Sequence, residues 1–268
     1  MRRKDSSLTR VVPAFEVIEK SPLNFWRHLQ VISDGRFDVN PESVRLCAPF
    51  LYGSHEIDEL DPNPKFLRWL IENADNANVL LKELAEKTKL TETERKRYEI
   101  ITNRKVREEA LKELERNPFA KRKWYVLEGN TKPDVYVASD DFVLVVEGKR
   151  TEDSPTTSTT WMEGRDQLIR HMDGARTWEE NHRMGRERRV FGLFIVDEDE
   201  PLYERKFKER DRFEEYFDPA YYQRSMPHRD LKDCELMMRG FLGVTTWQRL
   251  MGLYPEMPRF AKSDVVPA

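Results

Sequence analysis

The chain is expected to fold as an α/β protein. Near Lys123 the spacing of apolar residues changes from helical to alternating. Short apolar runs, one of them rich in valine, then follow in quick succession. A capped helical segment separates them from one further apolar run. From about Arg104 the order therefore reads helix, three antiparallel strands, helix, strand, with helices added at the N- and C-terminal ends.

Residues 1–62 carry Pro13, Pro22, Pro41, Pro49 and Pro62 between short apolar pieces, which predicts loops with short helices and no chemistry. Asn63-Pro64 is a cap followed by proline at the first helical position, and Phe66, Trp69 and Leu70 continue at helical spacing. Val79, Leu80 and Leu84 mark another helix. The capping box Thr91-x-x-Glu94 opens a third, with a break expected near Asn103 and an end near Arg116. Residues 1–103 are thus read as a mainly helical N-terminal region, and 104–200 as the core.

Within the core, Trp124–Leu127, Val135–Ala138 and Phe142–Val146 are the expected strands. After a polar stretch from Thr151, a second capping box, Thr160-x-x-Glu163, predicts a helix to about Glu179, and Val190–Val196 a fourth strand. Tyr203–Phe217, Leu231–Arg239 and Thr246–Met251 are expected helices, with Gly240 stopping the middle one. Residues 201–268 are therefore read as a C-terminal helical extension packed on the core.

Composition narrows the function classes. Charged residues make up 35% of the chain, yet 11% aromatics argue against disorder, so a core with a highly charged surface is expected. With 46 Lys plus Arg against 49 Asp plus Glu, the net charge of −3 offers no global attraction to nucleic acid, and any phosphate-binding surface must be local. The chain shows no apolar run of membrane-spanning length and no secretory signal, so a soluble, cytoplasmic protein without membrane attachment is expected. Cys47 and Cys234 lack the spacing of a zinc site or disulfide scaffold and are read as buried thiols.

The chemistry concentrates between Lys132 and Lys149. If Asp140 and Asp141 centre a hairpin turn, paired residues have numbers summing to 281, which sets Asp134 opposite Glu147. Side chains alternate along a strand, so Lys149 shares the face of Glu147 while Val146 and Gly148 point the other way. Two carboxylates converging at a strand end, with no thiolate or histidine beside them in sequence, suit a hard cation such as Mg2+ or Mn2+. Such an ion polarises a phosphoryl oxygen and activates water, and a lysine can offset charge in the transition state. That combination is what phosphodiester hydrolysis requires. The plainer alternative is a turn acid at Asp134 and a surface ion pair between Glu147 and Lys149.

Pro133-Asp134 followed by Glu147-Gly148-Lys149 resembles the PD-(D/E)XK nuclease superfamily, over roughly residues 104–197. The resemblance implies a restriction-endonuclease-like core, with Asp134 and Glu147 as metal ligands and Lys149 assisting catalysis. Superfamily members often add a glutamine from the helix after the sheet, for which Gln167 is the candidate, and an acid from the helix before it. Glu108, Glu109, Glu113 and Glu115 are indistinguishable for the latter role, with Glu128 a further option. Arg165, Arg170 and His171 on the Gln167 helix enter as substrate contacts, as do Lys121, Arg122 and Lys123. A second basic run, Arg183 to Arg189, could also contact phosphate.

The expected activity is a metal-dependent endonuclease or other nuclease acting on DNA sooner than RNA. A two-fold homodimer would suit cleavage of both strands. The competing reading is a non-catalytic nucleic-acid-binding or assembly module that keeps the fold. A nucleotide phosphohydrolase ranks below both because no GxxxxGK[ST] loop occurs.

Overall fold

The computed structural model describes residues 10–53, 60–119, 124, 126–149, 159, 161–182, 188–198 and 214–260. Among them the chain forms an α/β fold of ten α-helices and a five-stranded mixed open sheet. In chain order the helices are α1 (Val12–Lys20), α2 (Leu23–Ile32), α3 (Pro64–Glu72), α4 (Asn78–Ala85), α5 (Glu92–Thr102), α6 (Arg104–Arg116), α7 (Gln167–His182), α8 (Pro219–Ser225), α9 (Leu231–Arg239) and α10 (Trp247–Leu253). The strands are β1 (Leu51–Tyr52), β2 (Val135–Ala138), β3 (Phe142–Gly148), β4 (Arg189–Val196) and β5 (Phe241–Thr246).

The sheet runs β1-β2-β3-β4-β5: β2 pairs antiparallel with both β1 and β3, and β4 and β5 continue parallel to β3. The hairpin has the expected register, with Val135 opposite Val146 and Ala138 opposite Val143. Ser139 makes the turn, its Oγ accepting from the N–H groups of Asp141 (3.3 Å) and Phe142 (3.0 Å). β3 is buried along its whole length, as a strand covered on both faces must be.

One face of the sheet, carrying Val135, Val137, Leu144, Leu193 and Ile195, packs against α1, α2 and α10. The other, carrying Val143, Val145, Val190 and Phe194, packs against α7, α8 and α9. A separate apolar cluster holds α3 to α6 together and takes in Trp124, Val126, Leu127 and Trp161.

Several expectations are corrected here. Trp124–Leu127 is no strand: Leu127 and Glu128 donate their N–H groups back to the Trp124 carbonyl in a turn. The Val126 carbonyl accepts from Arg97 Nε (2.8 Å) and Trp161 Nε1 (2.6 Å), so this apolar run anchors the helical cluster. The first strand of the antiparallel set is instead Leu51–Tyr52, too short for its pattern to be read. The helix expected from Thr160 begins at Gln167; Glu163 precedes it, and Thr160 lies outside the described residues. Asp166 supplies the cap, its Oδ1 accepting from Ile169 N at 3.0 Å.

The C-terminal region is not purely helical, since β5 completes the sheet there. Of the expected Tyr203–Phe217 helix, residues 201–213 fall outside the described residues and Glu214–Phe217 is a 3-10 turn. Cys234 is buried as expected, but Cys47 is exposed. The caps read from sequence are present at Asn63 and at Thr91 with Glu94; Thr246 caps α10, and Asn103 both ends α5 and caps α6. Among the described residues no helix is long and apolar enough to cross a membrane.

Candidate functional site

Glu147 and Lys149 lie at the C-terminal end of β3, on the face covered by α7. The Lys149 N–H donates to the Ile195 carbonyl at 2.8 Å, which extends the parallel ladder one residue past the strand and holds the lysine backbone in place. Gly148 between them has no room for a side chain. A Cβ there would stand 2.9 Å from Val11 Cγ2 and 3.1 Å from Trp247 Cζ2, so α10 and the residue leading into α1 close directly on the strand. Trp247 Nε1 donates to the Lys149 carbonyl at 3.3 Å.

The Lys149 ammonium sits 2.8 Å from Glu147 Oε1 and donates to Gln167 Oε1 at 2.9 Å. Glu147 Oε2 faces His171 Nε2 at 3.0 Å, and His171 Nδ1 meets Thr131 Oγ1 at 2.6 Å. Gln167 and His171 are one helical turn apart, which places both on the same edge of α7. A continuous polar chain results: Thr131, His171, Glu147, Lys149, Gln167. Glu147 is 4% exposed and Lys149 5%, so this is no surface ion pair. Burial pushes the Glu147 carboxyl upward, but hydrogen bonding and charge from His171 and Lys149 outweigh it and hold the group below its ordinary value.

The register carried one residue beyond β2 sets Asp134 opposite Glu147. Its Oδ2 accepts from the N–H of Gly148 at 2.8 Å, the residue between the acid and the lysine. Beside this group opens a polar cavity of about 280 Å³, lined in part by Asn130, Thr131, Lys132, Gln167, Arg170 and His171.

Asp134, Glu147, Lys149, Gln167 and His171 thus gather at one end of the sheet, from β3, α7 and the residue before β2. Arg165 and Arg170 also line the cavity, but each is tied up in structural contacts. Arg165, expected to touch substrate, is 1% exposed and fully engaged inside the protein. It pairs with Glu128 (2.9 Å) and Asp173 (3.0 Å), donates to the Ser225 carbonyl (2.8 Å) and lies 4.0 Å over the Phe66 ring. Arg170 staples the turn at 128–130, donating to the Gly129 carbonyl at 2.6 Å and pairing with Glu128 at 3.3 Å, while it also lines the cavity. Glu128 is therefore the counter-charge of two arginines.

On α6, Glu108 pairs with Arg104, Glu115 pairs with Arg68, and Glu113 accepts from Asn117. That helix packs in the α3–α6 cluster and not on the sheet. Lys121, Arg122 and Lys123 lie outside the described residues. Arg188 and Arg189 stand at the start of β4, the opposite end from Lys149. Thr131 is the participant that sequence did not indicate. Nothing in its neighbourhood announces that it meets a histidine 40 residues away.

Among the described residues no group of three or more His, Cys, Asp or Glu side chains is arranged to hold a metal ion. Two carboxylates stand at this end of the sheet: Asp134, which accepts from Gly148, and Glu147, whose oxygens face Lys149 and His171. Carboxylate oxygens are the donor type that magnesium takes, one or two at a time with water and substrate phosphate completing the shell. The two do not form a closed cage. No family model matches the chain, and no match to a curated protein or a solved structure is found.

Proposed function

We propose that this protein is a divalent-metal-dependent nuclease with a restriction-endonuclease-like core, hydrolysing phosphodiester bonds in DNA sooner than in RNA. The observation that carries the reading is the Glu147–Lys149 pair, buried at the end of β3, joined to Gln167 from the following helix and bordered by a polar cavity. The antiparallel β2–β3 hairpin, followed by α7 and by β4 parallel to β3, also supports the reading, while β1 joins the sheet from before α3 to α6.

Asp134 and Glu147 would hold Mg2+ or Mn2+, which when bound polarises a phosphoryl oxygen and activates water. Lys149 offers a compact positive charge at the reacting phosphate, and Gln167 fixes its direction. His171, braced by Thr131, orients Glu147. Lys132 and Arg170 add positive charge along the cavity wall, the local attraction that the overall charge withholds. A two-fold dimer belongs to the same proposal.

A second reading, a non-catalytic module that keeps this fold, draws on one observation: both Glu147 oxygens already have cationic or hydrogen-bonding partners. Cleavage of linear and circular DNA and of RNA, with magnesium, manganese or excess chelator, separates the two. The expected outcome is metal-dependent cleavage that disappears in Asp134→Ala and Glu147→Ala. Lys149→Ala should cost roughly 10²–10³-fold in turnover, the range for removing one charge-stabilising group, with little change in metal affinity. Lys149→Arg should restore little, because a planar fork cannot replace a compact ammonium. Undiminished cleavage in chelator would overturn the metal dependence, a Lys149→Ala protein as fast as wild type would overturn the role given to the lysine, and absence of cleavage under every condition would favour the second reading.

A further inference from the structure

The opposite end of the sheet carries a second concave site, strongly basic and unrelated to Glu147 and Lys149. β3 and β4 run parallel, so Glu147 marks one end of the pair and Phe142, opposite Arg189, marks the other. The interval from residue 142 to 147 spans roughly 17 Å at the usual strand rise of about 3.3 Å per residue. A cavity of about 460 Å³ opens at that far end, with Arg36, Arg176, Arg188, Arg189 and Arg239 in its wall. Its volume lies in the range of small-molecule sites, about 300–1,000 Å³.

The charges there do not cancel. Asp38, the acid in the wall, pairs with Arg189. Glu180 pairs with Arg176 at 3.0 Å but is shared with Arg229, and Glu179 reaches Arg188 at only 3.5 Å. Among the described residues five guanidinium groups thus meet these three carboxylates and Asp34, whose charge acts on Arg36, in a chain whose net charge is −3.

Arg188 is the most telling. It is 6% exposed, and its Nε is shielded from solvent with no hydrogen-bond partner among the described residues. Arg36 is held by donation from its Nε to the Phe241 carbonyl (2.8 Å) and by the Phe217 ring, 4.7 Å from its guanidinium carbon. Planar forks fixed in this way suit the bidentate recognition of phosphate oxygens. Leu236 and Met237 give the same cavity an apolar side.

We propose that this cavity binds a multiply charged phosphorylated small molecule of nucleotide size, its phosphates against the arginines and its remainder against Leu236 and Met237. A concave pocket of this volume suits a discrete ligand better than a continuous nucleic-acid backbone. The proposal does not depend on the nuclease reading, because the two sites occupy opposite ends of the strands.

Calorimetric titration of the full chain with ADP, with pyrophosphate and with adenosine tests it, alongside a single-stranded oligonucleotide. Saturable ADP binding is expected, competed by pyrophosphate and not by adenosine, and weakened at least tenfold by Arg188→Gln. Because Arg188 is buried, Arg239→Glu on the exposed rim serves as the second variant and should weaken ADP to a similar degree without altering the fold. Lys149→Ala should leave ADP binding unchanged, which separates this site from the other. Absence of ADP and pyrophosphate binding, affinities equal in wild type and both arginine variants, or binding of the oligonucleotide alone would overturn the proposal.

Discussion

Between Glu147 and Lys149 stands a glycine because Val11 and Trp247 leave no space for anything larger. In Gly148→Ala the added methyl would press on Val11 and on Trp247, the ring that donates to the Lys149 carbonyl. Overpacking of this kind costs about 1–3 kcal/mol. Urea denaturation should show that loss, and cleavage should fall with it because the lysine backbone moves. An unchanged unfolding midpoint would mean that the tryptophan yields. At this scale much of the site was legible. Alternation along β3 assigned Glu147 and Lys149 to one face, and the resemblance singled out Gln167, which shares a helix edge with His171 four residues on. The partners of those side chains were not legible, since Thr131 and Trp247 arrive from distant parts of the chain.

Helix ends follow local chemistry, and this is where elements were read best. Asn63 caps α3, its Oδ1 accepting from Lys65 N at 2.8 Å, but the structure adds a second role: its Nδ2 faces Asp173 Oδ1 at 3.5 Å. Asn63→Ala should therefore destabilise by about 1–2 kcal/mol, the upper part of the range for a lost cap. Asn63→Asp keeps a capping oxygen yet sets a second carboxylate beside Asp173, so its thermal midpoint should fall below that of Asn63→Ala. The reverse order would show that capping dominates. Elements defined by few residues escaped the sequence: two-residue β1 has no period to detect. β5, Phe-Leu-Gly-Val-Thr-Thr, is interrupted by a glycine at positive φ (102°) where its register to β4 shifts. The helix start at Gln167 was misplaced because Thr160-x-x-Glu163 imitates a capping box, whereas the cap in use is Asp166.

Asp173 ties together segments that are well separated in the chain. Buried on α7, it binds Arg229 Nε at 2.7 Å, Arg165 Nη2 at 3.0 Å and His228 Nε2 at 3.3 Å, and so links α7 to the segments before it and before α9. Burial works to raise its carboxyl, but His228, Arg229 and Arg165 prevail and hold it well below the ordinary 3.8. A carboxylate depressed in the folded state contributes stability that is fully present above its unfolded value and is lost as pH falls through the folded one. Stability should thus decline as pH drops below about 4, and Asp173→Asn should flatten that acid limb. The same variant should lose about 3–5 kcal/mol at pH 7, since it leaves buried arginines short of a partner. Denaturant titrations at pH 3 to 7 test both, and an acid limb equally steep in the variant would assign the dependence to other carboxylates.

The sequence by itself determined the α/β class, the hairpin register, the caps at Asn63 and Thr91, and the shared face of Glu147 and Lys149. These depend on side-chain periods and on hydrogen bonds within a few residues, which a linear chain displays directly. Tertiary structure alone decided that Trp124–Leu127 serves a helical cluster, that β1 and β5 border the sheet, and that Arg165 is spent in the interior. It also gathered Arg36, Arg176, Arg188, Arg189 and Arg239 around one cavity. Which charges become buried, and which counter-charges meet them, depends on contacts between segments 40 to 200 residues apart and leaves no mark on local pattern.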